Sequence, residues 1–123
     1  MPLFEIVPNF SEGRDDAFLR DARHVAERAG ARVLHAAGDV AHHRSVMTAA
    51  GDGDAVVAAA VALAGFAAER IDLRVHRGEH PRIGALDVLP FVPLGGAGLD
   101  DARALAHRAG AAIWERYRIP SFY

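Results

Sequence analysis

Residues 76–82, HRGEHPR, bring together two histidines, a glutamate and two arginines. Two kinds of chemistry fit these residue types. As H-x-x-E-H from His76 to His80, the stretch matches a zinc-protease signature in which both histidines share one face of a helix. As a loop, it presents one histidine for proton transfer, because an imidazole with a pKa of about 6.5 suits general acid–base catalysis. The choice depends on whether the stretch can be helical.

The local backbone chemistry argues against a helix. Gly78 lies inside the pentad, and Pro81 disfavours helical geometry at His80, the residue before it. A third zinc ligand would have to come from elsewhere in the chain, with His42 or His43 as candidates. We therefore expect neither a metalloprotease nor a bound metal.

A shaped loop is the better interpretation of the stretch. Pro81 restricts the backbone at His80, and Gly84 marks a further break shortly afterwards. Glu79 and Arg82 flank the histidine with opposite charges that can orient a substrate. A histidine that caps a helix end explains the same residues equally well, so the residues alone leave both interpretations open.

The composition is that of one compact soluble domain. The 123 residues are 51% hydrophobic and 24% charged, with a formal net charge of −2, which gives no strong attraction to nucleic acid or anionic membranes. The chain has neither cysteine nor lysine, which excludes disulfides and covalent catalysis by thiolates or lysine. Residues 3–7 are too short and too acidic for a signal peptide, so a cytoplasmic protein is expected.

Hydrophobic periodicity and turn residues predict an α+β domain. The predicted strands are residues 3–7, 31–36, 44–49, 86–94 and 121–123, and the predicted helices run from about 15 to 30, from an Asp54 cap to about 71, and from about 100 to Pro120. A turn at Pro8 and Asn9 closes the first strand, and residues 38–42 turn the chain within a hairpin. Pro90 and Pro93 cannot donate to a sheet ladder, which places strand 86–94 at an edge or a bulge.

Residues 55–68 are apolar on every face of the predicted second helix. The run is shorter than the roughly 20 residues that span a bilayer, which indicates a buried core helix. Burial on several sides predicts that a second subunit or a partner domain covers the helix, and we expect a homodimer. The alternative is that its small alanines tolerate exposure.

Further polar residues outside the histidine stretch are candidates for binding. Arg44, at the start of a strand, suits a substrate carboxylate, although a surface salt bridge explains it as well. Asn9, Ser11 and Glu12 either line a cleft or cap the first helix. The glycines of 95–98 precede a helix but lack the spacing of a phosphate-binding loop, so a turn is favoured there.

Three stretches of the chain resemble one enzyme family. VPNFSEGR (7–14), HRSVMTAAG (43–51) and IDLRVHRGEHPRIGALDVLPFVP (71–93) resemble the N-terminal subdomain of glutamate formiminotransferase, an enzyme that is fused to a cyclodeaminase in animals. The resemblance covers essentially the whole chain, which we interpret as a single domain over residues 1–123. It implies a ferredoxin-like βαββαβ sandwich with an added C-terminal helix and short strand.

The resemblance also implies a reaction. The family transfers a formimino group from N-formiminoglutamate to tetrahydrofolate in histidine degradation, with tetrahydrofolate as a co-substrate and no metal. Within the G-E-H-P-R block, His80 takes the role of catalytic acid–base group. The expected substrate-binding residues are Asn9, Ser11, Asp39, Arg44, Glu79, Arg82 and Gly84.

The loop before Arg44 departs from the family pattern. Asp39 is retained, whereas Ala41 and His43 replace family residues, an asparagine in the case of His43. The family builds its folate site between two subdomains, so we expect this chain to need a second subdomain for activity. The alternative is a non-catalytic folate-binding or assembly module that has kept the fold and lost the activity.

Overall fold

The computed structural model of the protein describes residues 2–71 and 85–123. Within these residues an antiparallel sheet packs against three helices, so the α+β class is confirmed. The strands are β1 (Phe4–Ile6), β2 (Asn9–Phe10), β3 (Arg32–Asp39), β4 (Arg44–Gly51), β5 (Leu86–Val88) and β6 (Phe91–Pro93), and the helices are α1 (Asp16–Arg28), α2 (Gly53–Arg70) and α3 (Leu99–Tyr117).

Strand β4 is the centre of the sheet. It pairs with β3 on one side and with β1 and β2 on the other, and these two short strands pair in turn with β6 and β5. All of these pairings are antiparallel, and the arrangement is consistent with a ferredoxin-like kind of sandwich. The long hairpin of β3 and β4 was predicted from the sequence, and the structure confirms it.

Prolines lie at two interruptions of the sheet, Pro8 between β1 and β2 and Pro90 between β5 and β6. The turn predicted at Pro8 and Asn9 is wrong, because Asn9 pairs again with β4 as part of β2. The carbonyl of Pro8 accepts the Met47 amide at 3.0 Å, and the carbonyl of Pro90 accepts the Val7 amide at 3.1 Å. Neither proline has a backbone N–H to donate, but the carbonyl oxygen of each accepts a hydrogen bond from a neighbouring segment. The sheet therefore continues past both interruptions.

The helix ends follow capping chemistry. Asp15 caps α1 by accepting the Ala17 amide at 2.9 Å, and Gly30, with φ of 107°, lies just beyond the end of that helix. The prediction that Asp54 caps α2 is wrong, since Asp52 accepts the Ala55 amide at 2.8 Å and the helix begins one residue later.

Helix α2 is buried by its own chain. It packs against α1 and α3 as well as against β1, β4 and β5. Most of its apolar residues therefore find cover within the chain, and the small residues Ala58 and Ala68 are exposed. This removes one ground for expecting a second subunit. In the part of the chain that the structure describes, no helix combines the length and the apolar character needed to cross a bilayer.

The strand predicted at residues 121–123 is wrong. Helix α3 ends at Tyr117, and Arg118 adopts a left-handed conformation with φ of 57° that reverses the chain. The final residues then run back along α3, where the ring of Tyr123 stacks on His107 at 4.0 Å and lies against Gly110. Pro120 has no amide to donate, so this segment gains more from ring packing than from sheet pairing.

One face of the sheet carries the core, and the other is not covered by any of the helices in residues 2–71 and 85–123. Along β4, the buried residues Ser45, Met47 and Ala49 alternate with half-buried residues on the opposite face. Leu34 and Val88 are about half exposed, at 54% and 46%.

The loop between β2 and α1 docks on the end of the β3–β4 hairpin through Gly13. A Cβ atom at this position would overlap the main-chain oxygens of Asp39 and Arg44 and the Arg44 nitrogen. These neighbours are backbone atoms, which cannot swing aside as a flexible side chain does. Glycine at position 13 thus sets how close the loop and the hairpin approach.

We predict that Gly13→Ala lowers the free energy of unfolding by about 2 kcal/mol, since the added methyl group forces the hairpin away from the loop. Gly95→Ala is the matched control, because no heavy atom lies within 4 Å of a Cβ at that position. The control is expected to change stability by less than about 0.5 kcal/mol in urea unfolding. Equal stability of the two variants would contradict the proposed close contact.

Candidate active site

A pocket of about 390 Å³ opens on the uncovered face of the sheet, at the end of the β3–β4 hairpin. It brings together three of the substrate-binding residues predicted from the sequence: Asn9, Asp39 and Arg44. The described residues that line it are Asn9, Ala37, Gly38, Asp39, His42, Arg44, Ser45 and Val46.

Strand register places these residues side by side. Asp39 lies opposite Arg44 across the hairpin, and Asn9 lies opposite Val46 on the other side of β4. Cross-strand partners share a face of the sheet, so three separate segments of the chain contribute to one surface. The Asn9 side chain donates to the Val7 carbonyl at 2.9 Å, which fixes the orientation of its amide.

Arg44 forms an ion pair with Asp87. The Arg44 Nη1 atom lies 2.8 Å from Asp87 Oδ2, and the two side chains are only 16% and 5% exposed. The salt bridge considered for Arg44 therefore exists, but it is largely buried rather than at the surface. Asp87 Oδ1 is buried and has no hydrogen-bond partner among the described residues, so the aspartate depends strongly on this arginine.

A β-bulge brings Asp87 to this position. Asn9 pairs with Val88 and Phe10 with Leu86, so Asp87 is the extra residue between two consecutive pairs. Bulges of this kind redirect a side chain relative to regular alternation. Asp87 was not among the predicted site residues. The one signal for it in the sequence is an acidic residue between Leu86 and Val88 in an otherwise apolar strand.

Asp39 holds His42 at the rim of the pocket. Its Oδ2 lies 2.8 Å from His42 Nδ1, and its Oδ1 accepts the His42 backbone amide at 3.2 Å. Both side chains are about half exposed, at 55% and 48%. The hydrogen bond from His42 lowers the pKa of Asp39 below its ordinary value of 3.8, so the carboxylate is ionised at neutral pH.

Ser11 and Glu12 lie behind the pocket rather than in its wall. Ser11 is fully buried and does not cap α1, since Asp15 fills that position. The carboxylate of Glu12 accepts the amides of Arg14 and Asp15 at 3.0 and 3.1 Å. Two roles were considered for this turn, lining a cleft and capping the first helix. Glu12 supports the start of α1, and Ser11 is not among the described residues that line the pocket.

Glu12 and His43 join this turn to the hairpin from the buried side. His43 Nδ1 accepts the Gly13 amide at 3.0 Å and lies 3.4 Å from Glu12 Oε2. A ring nitrogen that accepts a hydrogen bond carries no proton, so we assign the proton of neutral His43 to Nε2. The backbone of His43 has a φ of 54°, which is a left-handed conformation that asparagine also tolerates.

The predictions for Glu79, His80, Arg82 and Gly84 lie outside the described residues. The chain is described again from Ala85, whose carbonyl accepts the Ser11 amide at 2.9 Å, and β5 with Asp87 follows directly. Within residues 2–71 and 85–123, no three histidine or acidic side chains are grouped as metal ligands.

Comparison with known proteins gives the family of this chain. Residues 3–123 match the family model of the formiminotransferase domain, N-terminal subdomain. The chain belongs to the formiminotransferase family. The resemblance stated from the sequence is thereby confirmed.

Relatives carry the same fold unit as part of longer proteins. Glutamate formimidoyltransferase of Thermoplasma acidophilum is 44% identical over 123 residues, which is 99% of this chain and 41% of that protein. The enzyme of the same name from Streptococcus pyogenes is 36% identical over 121 residues, covering 98% and 40%. Formimidoyltransferase-cyclodeaminase of Rattus norvegicus is 37% identical over 122 residues, covering 98% and 22%. The chain thus spans about two fifths of the first two relatives and about one fifth of the third.

In this formiminotransferase subdomain, we predict that Asp87→Ala lowers the free energy of unfolding by about 3 kcal/mol at pH 7, because it removes the carboxylate that pairs with the largely buried Arg44 cation. Asp21→Ala is the matched control, since it removes the exposed Arg70–Asp21 pair at 2.9 Å. The control is expected to cost clearly less than Asp87→Ala, because solvent screens an exposed ion pair. Equal losses for the two variants in chemical denaturation would contradict the burial of the Arg44 pair.

We predict that Asp39 titrates below 3.8 and that His42→Ala raises its pKa toward that value, as measured by NMR of the side-chain carboxyl. A depressed pKa stabilises the fold above the unfolded-state pKa, and this contribution is lost as the pH falls through the folded-state pKa. Asp21 is the internal control, because the hydrogen bond from Arg70 lowers its pKa independently of His42. An unchanged Asp39 titration in His42→Ala would show that the imidazole is not the cause.

Proposed function

We propose that this chain is the N-terminal half of an enzyme that transfers a formimino group from N-formiminoglutamate to the N5 atom of tetrahydrofolate. The observation that carries the proposal is the match of residues 3–123 to the formiminotransferase N-terminal subdomain. The relatives named formimidoyltransferase support the transferase reaction. Folate as acceptor, and a place in histidine degradation within the cytoplasm, are the finer parts of the proposal.

The ferredoxin-like topology is part of the same proposal. If β1 with β2 and β5 with β6 are each taken as one interrupted strand, the sheet has four antiparallel strands. Their spatial order is second, third, first and fourth along the chain, with α1 and α2 as the two connections. This order supports the βαββαβ arrangement, to which α3 adds a third helix.

The proposed reaction needs a group that moves protons. The N5 amine attacks the formimino carbon, an N–C bond forms, and the attacking nitrogen must lose its proton. The bond from the same carbon to the glutamate nitrogen then breaks, and that nitrogen must gain a proton. His80 is proposed to take the first proton and to deliver the second, a contribution of roughly 10²- to 10⁴-fold in rate.

The pocket is proposed to hold the formiminoglutamate. Arg44 supplies a cation for a substrate carboxylate, and the amide of Asn9 supplies a hydrogen-bonding group whose direction is fixed by Val7. Asp87 keeps the guanidinium in place at 2.8 Å. Glu79, Arg82 and Gly84 are proposed to contact the substrates from the segment that carries His80.

A second formiminotransferase subdomain is proposed to complete the site. The uncovered face of the sheet offers a surface that is one side of a cleft, and the chain spans about two fifths of the relatives that carry the transferase name. Holding two substrates in one cleft makes their reaction effectively unimolecular, which is where much of the acceleration arises. A homodimer remains a further proposal.

A turnover assay tests the proposed function. The chain is mixed with N-formiminoglutamate and tetrahydrofolate, alone and with the C-terminal remainder of the Thermoplasma transferase, and formimino-tetrahydrofolate is measured by mass spectrometry. We expect turnover in the mixture and a fall in kcat of at least about 10²-fold for His80→Ala. His24→Ala, on the exposed side of α1, is the control and is expected to keep full activity.

The assay separates the competing proposals. Equal activity of His80→Ala and the unaltered chain would contradict the catalytic role of His80. Binding of tetrahydrofolate in calorimetry without turnover, in the presence of the second subdomain, would favour the non-catalytic binding module. Absence of both binding and turnover would contradict the proposed function itself.

A further inference from the structure

Glu5 has no role in the function proposed above, although its side chain lies on the same face of the sheet as the pocket. From Phe4 to Phe10, buried residues alternate with half-buried ones, and both Glu5 and Asn9 belong to the half-buried set on the uncovered face. Glu5 pairs with Ala50 of β4, and Asn9 pairs with Val46. At about 3.3 Å per residue, the four residue steps between these pairs separate Glu5 from Asn9 by roughly 13 Å.

The carboxylate of Glu5 lacks a partner in the part of the chain that the structure describes, where no hydrogen bond or ion pair involves it. Across the sheet it lies between Ala50 of β4 and Val92 of β6, whose side chains have no donor. Arg32 lies opposite Ala50 on the far side of β4, two strand spacings or about 10 Å from Glu5. A half-buried carboxylate has lost part of its hydration, and a ligand that brings N–H donors restores those hydrogen bonds.

A largely apolar surface connects Glu5 with the pocket. Val7 follows Glu5 on the same face, and Ala50, Thr48 and Val46 run beside them along β4 as half-buried residues. Val46 at the end of this row lines the pocket. A flat heterocycle can pack on such a surface while its polar edge meets a carboxylate at the side.

We propose that Glu5 binds the pterin ring of tetrahydrofolate and thereby determines the acceptor specificity of the transfer. The inference rests on the proposed function and deepens it, because it gives the second substrate a position on this chain. The 2-amino group and the N3–H group of a pterin are adjacent donors on one edge of the ring. The two oxygens of a carboxylate accept two such hydrogen bonds side by side.

This contact arranges the two substrates end to end along β4. The formiminoglutamate occupies the pocket beside Asn9, and the donor edge of the pterin meets Glu5 at the other end of the apolar surface. The N5 atom belongs to the ring of the pterin that is remote from this edge. It therefore lies on the side of the pterin that is turned toward the pocket, where the formimino group is bound.

A basic side chain of a second subdomain is the other group that suits an unpaired carboxylate. The surface beside Glu5 favours the pterin, because it is apolar and continuous with the pocket, whereas an ion pair between two proteins needs no such surface. The two cases differ in a property that can be measured, namely whether Glu5 distinguishes a pterin that has its 2-amino group from one that lacks it.

Calorimetry with two ligands tests the contact. The chain, assembled with the C-terminal remainder of the Thermoplasma transferase, is titrated with tetrahydrofolate and with 2-desamino-2-methyl-tetrahydrofolate, in which a methyl group replaces the 2-amino donor. The analogue is expected to bind about 10- to 10²-fold more weakly, the range for a hydrogen bond to a charged group. In Glu5→Ala the two ligands are expected to bind within about threefold of each other, because the acceptor is gone.

Steady-state kinetics of the same assembly gives an independent measurement. Glu5→Ala is expected to raise the KM for tetrahydrofolate by about 10-fold or more and to leave the KM for N-formiminoglutamate within about twofold. Glu115→Ala is the matched control, an exposed acid on α3 that is expected to change neither value. Circular dichroism of both variants checks that each is folded.

The outcomes separate this inference from the proposed function. Equal binding of the two ligands by the unaltered assembly overturns the pterin contact, even if the assembly turns over. A Glu5→Ala variant that binds both ligands more weakly but keeps the difference between them also overturns it, and indicates an ion pair with the second subdomain instead. In both cases turnover by the unaltered assembly leaves the proposed function standing. Absence of tetrahydrofolate binding and of turnover overturns the proposed function and this inference together.

Discussion

The approach of the Gly13 backbone to the β3–β4 hairpin is the contact on which the pocket depends. At this point main-chain atoms of the loop lie against main-chain atoms of Asp39 and Arg44, without space for a side chain between them. Glu12 and His43 join the same two segments from the buried side. Two of the pocket's charged residues, Asp39 and Arg44, are thus positioned by backbone packing between a loop and a hairpin.

The same strands build the core and the pocket, because successive residues of a strand point to opposite faces. In β4, Met47 packs under the helices while Val46 lines the pocket on the other face. The helices cover the core face, with α2 between α1 and α3. A well-packed layer therefore supports the pocket from behind, which keeps the charged residues at fixed distances from one another.

Local signals in the sequence predicted the elements and part of the site. Helical periodicity located the three helices, and the predicted hairpin is present, with Asp39 opposite Arg44 at its end. The pairing of Arg44 with Asp87 was not predictable, because it depends on a bulge between two strands that are distant in sequence. The hydrogen bond between Asp39 and His42 was missed for a different reason: it depends on the conformation of a turn, which residue type alone does not specify. The final strand was wrong because ring packing against α3 competes with sheet pairing, and only the tertiary structure decides between them.

The two charged residues that face each other across the hairpin each have a charged or polar partner of their own. Arg44 pairs with Asp87, and Asp39 holds His42, each at 2.8 Å. Compensation of this kind reduces the net field that draws a charged ligand into the pocket, but it fixes the direction of each group before the ligand arrives. Binding that is equally strong in the ground state and the transition state leaves kcat unchanged. In a reaction that joins two substrates, side chains held in a fixed direction therefore contribute more to the rate than strong attraction of the substrates does. For the proposed reaction, the geometry of this pocket therefore favours orienting the reactants, because each of these charged groups already has a fixed partner.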